Sequence, residues 1–275
     1  MMTAAALGVA IGLVLALTGA GGGILAIPLL VFGLHLPIQH AAPVGLAAVG
    51  LSAAVGAGLG LREGIVRYRA AALIGTAGML AAPAGVALAH RLPGRPLLAV
   101  FAGVLGFVAW RMLRPEPPAT VATGRAQSKE PPSPAPPCLV DTTDGRLAWT
   151  PRCARALGGT GAASGLLSGL LGVGGGFVIV PALTRYTDLD VRSIQATSLA
   201  VIALVSASGV AAAALHGALR WDVLLPFAGG AIGAMLAGRQ LARRLAAVRL
   251  KQAFGATSAV VAVLMLARAA DWTAP

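Results

Sequence analysis

Charge is what this chain lacks. Only 11% of its 275 residues are charged, against roughly 25% in an ordinary soluble domain, too few to cover a globular surface. Acidic residues are scarcest, with nine Asp and Glu against 21 Lys and Arg. Glu63, Glu116, Glu130, Asp141, Asp144, Asp188, Asp190, Asp222 and Asp271 all fall in connections between apolar runs or at their edges. A carboxylate inside a membrane segment is the usual proton or cation relay, and this pattern excludes one. No Lys or Arg lies mid-run either. The two cysteines, Cys138 and Cys153, are too few for a disulfide or metal framework and read as incidental. His35, His40, His90 and His216 are scattered near segment ends, so no metal site or cofactor is expected. No nucleophile, base and orienting group share a pattern, which argues against an enzyme.

What the chain has is long uncharged stretches. Residues 1–61, 70–89, 97–110, 156–183, 193–219 and 223–238 carry no charge, and about 20 apolar residues suffice for a bilayer-spanning helix. The mean hydropathy is +0.83. An all-α, multi-pass integral membrane protein follows. In a soluble protein the net charge of +12 would suggest nucleic acid. Here the basic residues sit in the connections, where selection against translocating positive charge puts them, and no nucleic-acid partner is expected. No basic residue precedes the first apolar run, which reads as a membrane element rather than a signal peptide.

The chain repeats itself. A shift of 153 residues superposes residues 8–30 on 161–183 with 11 of 23 positions identical. The same offset pairs Leu46 with Leu199, Gly56 with Gly209, Gly64 with Gly217, Arg67 with Arg220, Tyr68 with Trp221 and Phe101 with Phe254. The organisation expected is a first membrane repeat over 1–114, a linker over 115–156, a second repeat over 157–270 and a tail over 271–275. Residues 115–151 hold nine of the eighteen prolines and show no apolar periodicity, the composition of a disordered linker.

Each half reads as four hydrophobic elements, about eight transmembrane segments in all: 4–33, 41–61, 70–89 and 97–113, then 157–183, 193–219, 223–242 and 250–267. The first element of each half is too long. Thirty helical residues span about 45 Å, against a hydrocarbon core of about 30 Å, and a triple glycine interrupts each one. A single kinked crossing would give parallel repeats; two half-helices that meet and return would give inverted ones. With kinked crossings the basic residues divide 12 to 9 between the faces, and with re-entrant elements 17 to 4. The positive-inside rule favours the second, with the linker cytoplasmic and both termini outside.

Inverted repeats with broken helices are a recurrent transporter design. Backbone that leaves the helix at membrane depth is tolerable only where it lines a cavity or is buried in protein. Half-helices starting near Ile24 and Phe177 would turn free N–H groups and a partial positive charge toward the midplane, where they suit an anion. The candidate substrate-binding residues are Gly21, Gly22, Gly23, Gly174, Gly175 and Gly176. Thr197 and Ser198 offer hydroxyl donors, or else cap or back-bond their own helix. Gly8, Gly12, Gly161 and Gly165 read as close-packing positions between helices. Neither run matches a soluble phosphate loop, because no Lys-Ser/Thr follows and Ile24 and Phe177 stand where a dinucleotide fingerprint needs its last glycine.

The motifs Gly19-Ala20-Gly21-Gly22-Gly23…Pro28 and Gly172-Val173-Gly174-Gly175-Gly176…Pro181, with Ala196-Thr197-Ser198-Leu199, make the chain resemble the sulfite exporter TauE/SafE family of membrane permeases. The resemblance covers both halves and excludes the linker. The first half departs from it, with Pro43-Val44-Gly45 where Ala-Thr-Ser is usual. It implies transport of small anions, among them sulfur oxyanions and organosulfonates such as sulfite, across the bacterial inner membrane. An anion channel and a non-transporting membrane scaffold or assembly protein are the alternatives.

Overall fold

The computed structural model describes residues 2–19, 22–92, 94–113, 138, 149–215, 219–242, 256, 259–264 and 267. Among them the chain is all-helical: α1 (Met2–Thr18), α2 (Gly22–Gly33), α3 (Ile38–Arg62), α4 (Tyr68–Arg91), α5 (Gly94–Leu113), α6 (Pro151–Leu171), α7 (Gly176–Tyr186), α8 (Val191–Leu215) and α9 (Trp221–Ala242). Four of these, α3, α4, α8 and α9, are long and apolar enough to cross a membrane, and α1 and α2 are shorter apolar helices. The segment expected over 250–267 lies largely outside the described residues.

Both long first elements are broken where the glycines stand, and the two pieces fold back on each other. A Cβ added to Gly22 would meet Leu15 Cβ at 2.7 Å and the Ile11 carbonyl oxygen at 2.9 Å, while one on Gly33 would meet Leu7 Cδ1 at 2.7 Å. As α2 advances its neighbours on α1 recede, so the pair is an antiparallel hairpin. In the second half Gly175, at the start of α7, lies against Ser164 of α6. Helix α6 starts six residues ahead of its apolar run at 157, because Thr150 accepts the Cys153 N–H at 3.1 Å and Pro151 opens the first turn.

The hairpins are held by the opposite half. Gly8 lies against Phe227 and Ala231 of α9, and Gly12 again against Ala231. Their repeat partners do the same: Gly161 lies against Ile74 of α4, and Gly165 against Gly78 at 2.6 Å from its Cα to the added Cβ. Ile74 and Gly78 are themselves the counterparts of Phe227 and Ala231 at the 153-residue offset. The four glycines read as packing positions therefore occupy close helix–helix approaches. Without a hydrophobic drive between helices in lipid, such close backbone approach is the main source of cohesion.

At the centre α3 and α8 pack on each other antiparallel. Gly56 faces Leu199, Gly50 faces Ser206, and Gly209 faces Leu46. The Gly56–Leu199 contact maps onto the Gly209–Leu46 contact at the 153-residue offset, so the two helices exchange equivalent contacts there. Of the four long apolar helices α3 is the most enclosed, with 67% of its apolar window buried against 39–44% for α4, α8 and α9. Outward faces are apolar, with Leu80 at 83% and Leu225 at 68% exposure, as a lipid-facing surface requires.

One expectation is corrected. Cys138 and Cys153 are joined in a disulfide with a Cα–Cα distance of 5.0 Å. Cys138 also donates its N–H to the Tyr186 carbonyl at 3.1 Å, so this residue joins the end of α7 to the start of α6. A residue count could not reveal this, because a single bridge needs only that the backbone bring two thiols together.

Gly165→Leu should strongly destabilise the protein, since the new side chain would enter the Gly78 backbone. Gly158→Leu, where an added Cβ meets nothing within 4 Å, should retain the folded peak. Thermal melts followed by size exclusion in detergent would check the pair, and equal melting of the two would sink the close-packing account.

Candidate functional site

The break between α6 and α7 is built from left-handed backbone. Gly172, Gly174 and Gly175 have φ of 67°, 74° and 67°, a region that costs an ordinary L-residue roughly 1–2 kcal/mol each. Gly172 ends α6 by donating its N–H to the Ser168 carbonyl at 2.7 Å, and Gly175 is the N-cap of α7. The first half follows suit: Gly19, at φ 71°, donates to the Leu15 carbonyl at 2.8 Å. Gly21 of the candidate set lies outside the described residues.

The two breaks meet. A Cβ on Gly23 would run into the Val173 carbonyl and come within 3.5 Å of Val49 Cγ1. One on Gly174 would reach Ile202 Cγ2 at 3.1 Å, Val49 Cγ1 at 3.4 Å and Ser206 Oγ at 3.5 Å. Val49 and Ile202 are repeat partners. The N-terminus of α2 and the glycine turn that leads into α7 thus share one buried centre, walled by the paired central helices. Gly22, Gly23, Gly174, Gly175 and Gly176 are all buried. The first N–H groups of a helix have no partner within it, so two sets of donors and two partial positive charges approach this centre.

Thr197 and Ser198 are both buried on α8. Ser198 donates its hydroxyl to the Ile194 carbonyl at 2.6 Å, and the Thr197 hydroxyl accepts the Arg67 N–H at 3.1 Å, joining α8 to the cap of α4. Neither is among the nearest neighbours of Gly22, Gly23, Gly174 or Gly175.

Three other hydroxyls surround the second break. Ser164 Oγ donates to the Gly175 carbonyl at 3.1 Å. Ser168 and Ser206 are fully buried, and their hydroxyls have no hydrogen-bond partner. Their repeat partners are Ile11 for Ser164, Leu15 for Ser168 and Ala53 for Ser206. The signal lay in the repeat alignment, as hydroxyls facing apolar residues. Reading each serine alone as a small helix-packing residue hides it.

A cavity of about 150 Å³ borders the tip of the first hairpin, with Gly19, Glu63, Arg192, Gln195, Leu199 and Arg239 among its lining residues. Arg239 Nη2 lies 2.6 Å from Glu63 Oε2, joining α9 to the end of α3.

Broken hairpins, long apolar helices and lipid-suited outer faces define a multi-pass helical membrane protein. The family model described as "Sulfite exporter TauE/SafE" matches residues 4–265, and the chain belongs to that family. It is similar to two proteins named "Probable membrane transporter protein" from Xylella fastidiosa, strains 9a5c and Temecula1 / ATCC 700964. Each is 31% identical over 262 residues, covering 94% of this chain and 92% of the relative. No solved structure matches.

Replacing Ser164 by Ala should cost about 1–3 kcal/mol, because the buried Gly175 carbonyl loses its donor. Ser206→Ala removes an unpartnered hydroxyl and should leave stability unchanged or slightly higher. Denaturant titration of the purified variants would show it; a larger loss in Ser206→Ala than in Ser164→Ala would contradict these assignments.

Proposed function

We propose that the protein is a permease for small anions, of the sulfur oxyanion or organosulfonate class that includes sulfite. It binds the anion between the N-termini of α2 and α7, in the bacterial inner membrane. One observation carries the reading: Gly23 packs on the Val173 carbonyl, so both helix breaks open on the same place. The glycines admit a ligand to the backbone, and the helix ends supply N–H donors and positive potential without a buried cation. Ser206 adds a hydroxyl that has nothing else to bond. In this reading Gly21, Gly22, Gly23, Gly174, Gly175 and Gly176 form the backbone cradle, with Thr197 and Ser198 as hydroxyl donors from α8 and Ser206 as a third.

Two repeats of opposite orientation accompany it. Helices α3 and α8 are repeat partners that pack antiparallel, as Leu46 facing Gly209 and Gly56 facing Leu199 require. If both cross the bilayer, they cross in opposite senses. The 17-to-4 division of basic residues agrees and puts the linker in the cytoplasm. The Cys138–Cys153 disulfide favours the reverse orientation, because such bonds persist in oxidising compartments. Treating intact cells with a membrane-impermeant reductant and maleimide decides between them. Absence of label until the cells are opened supports a cytoplasmic linker, and labelling of intact cells reverses the orientation.

Purified protein in liposomes should take up radiolabelled sulfite saturably. Gly22→Leu and Gly175→Leu should abolish uptake while still inserting, since each side chain would fill the hairpin interior, and Ser206→Ala should raise KM severalfold. Wild-type rates in both glycine variants would refute the cradle. Uptake that never saturates would indicate a channel, and no flux of sulfite, sulfate, sulfonates or chloride would leave a scaffold.

A further inference from the structure

The cavity at the tip of the first hairpin holds charges that neither the packing nor the glycine cradle accounts for. It borders the helix break itself, where a Cβ on Gly19 would lie 2.7 Å from Gln195 Cγ. Its rim gathers the end of α3, the first turn of α8 and the last turn of α9, which contribute Glu63, Arg192 with Gln195, and Arg239.

Two guanidinium groups share this space with one carboxylate. Arg192 is the second residue of α8, where the helix end is already positive, so a cation there is unfavourable unless an anion joins it. Asp190 caps this helix start, its carboxylate accepting the Ser193 N–H at 3.3 Å, but it is not among the residues that line the cavity. Arg239 is only 24% exposed at its side chain and reaches across to the other half of the molecule for Glu63.

The fold does not need these charges. At the 153-residue offset Arg239 corresponds to Val86, Arg192 to Gln39, Gln195 to Ala42 and Glu63 to His216. Val86 is buried, 7% exposed, in an otherwise equivalent helix. Arg239 is half-buried and Arg192 exposed, and both line the cavity that borders the break. At about 150 Å³ it far exceeds the ~10–15 Å³ that admits a single water, so a small hydrated oxyanion fits.

We infer that this cavity is a loading site for the permease, in which a sulfonate- or sulfite-class anion displaces Glu63 from Arg239 and is held by Arg192 and Gln195 before it moves to the glycine cradle. A guanidinium presents two parallel donors, and carboxylate and sulfur oxyanions compete for the same fork. Because Glu63 and Arg239 belong to different halves, loading also releases the tie between α3 and α9. The inference rests on the transporter reading for its place in a cycle, but binding tests it apart from transport.

The test is equilibrium binding of radiolabelled sulfite to detergent-purified full-length protein, with methanesulfonate and sulfate as competitors. Arg239→Gln and Arg192→Gln should each weaken binding tenfold or more, Arg239→Lys should weaken it less, and Glu63→Gln should tighten it about threefold by removing the competitor. A merely structural ion pair would make Glu63→Gln and Arg239→Gln shift in the same direction. That result, unchanged affinity in both arginine variants, or no wild-type binding of any of the three anions would overturn the site. Wild-type binding with the expected shifts but no liposome uptake would uphold the site and sink the transporter reading instead.

Discussion

Backbone-to-backbone contact between parallel helices is what the rest of this structure depends on. In lipid, apolar side chains gain little by turning from acyl chains to each other, so helices cohere where small residues let main chains approach. Gly8 and Gly12 bring α1 onto α9, and Gly161, Gly165 and Gly169 bring α6 onto α4. Both pairings join one half of the chain to the other. Each hairpin is therefore clamped by a helix from the opposite repeat, and neither half completes its own packing.

That clamp positions the chemistry. A broken helix in a membrane must have its freed backbone groups covered or lining a cavity, and the exchange between halves brings both breaks to the paired α3 and α8. The result is symmetric in backbone and asymmetric in side chains. Val49 and Ile202 face the centre as equivalents, whereas the hydroxyls of Ser164, Ser168 and Ser206 gather around the second break alone. The cavity charges follow the same division, with Arg192 and Arg239 on one face and Gln39 and Val86 at the corresponding positions. A duplicated scaffold supplies the geometry, and divergence between the copies gives it a polarity that a one-way or coupled process can use.

Much of the fold was legible beforehand because its signals are local or periodic. Uncharged runs mark helices that need no water, and the overlong first element with three glycines announces a break, since about 30 residues exceed the bilayer thickness as one helix. Gly8, Gly12, Gly161 and Gly165 could be assigned to packing from spacing alone, as their spacing of four places both members of each pair on one helix face. The cysteines were misread because pairing is a property of space. Cys138 lies in a proline-rich stretch with no pattern of its own, and its place beside Tyr186 and Cys153 is set by contacts between distant residues. Thr197 and Ser198 were conspicuous as adjacent hydroxyls in an apolar run, yet one serves its own helix and the other the cap of α4.

By itself the sequence determined that this is a helical membrane protein with a duplicated architecture and two helix breaks, because hydropathy, repetition and glycine runs act through the chain's own neighbours. Only the tertiary structure decided which surfaces those breaks face. Gly23 against Val173, Gly19 against Gln195 and Glu63 against Arg239 join residues 150, 176 and 176 positions apart. No local preference encodes such encounters; they follow from how closely each helix can approach its partner in the other half.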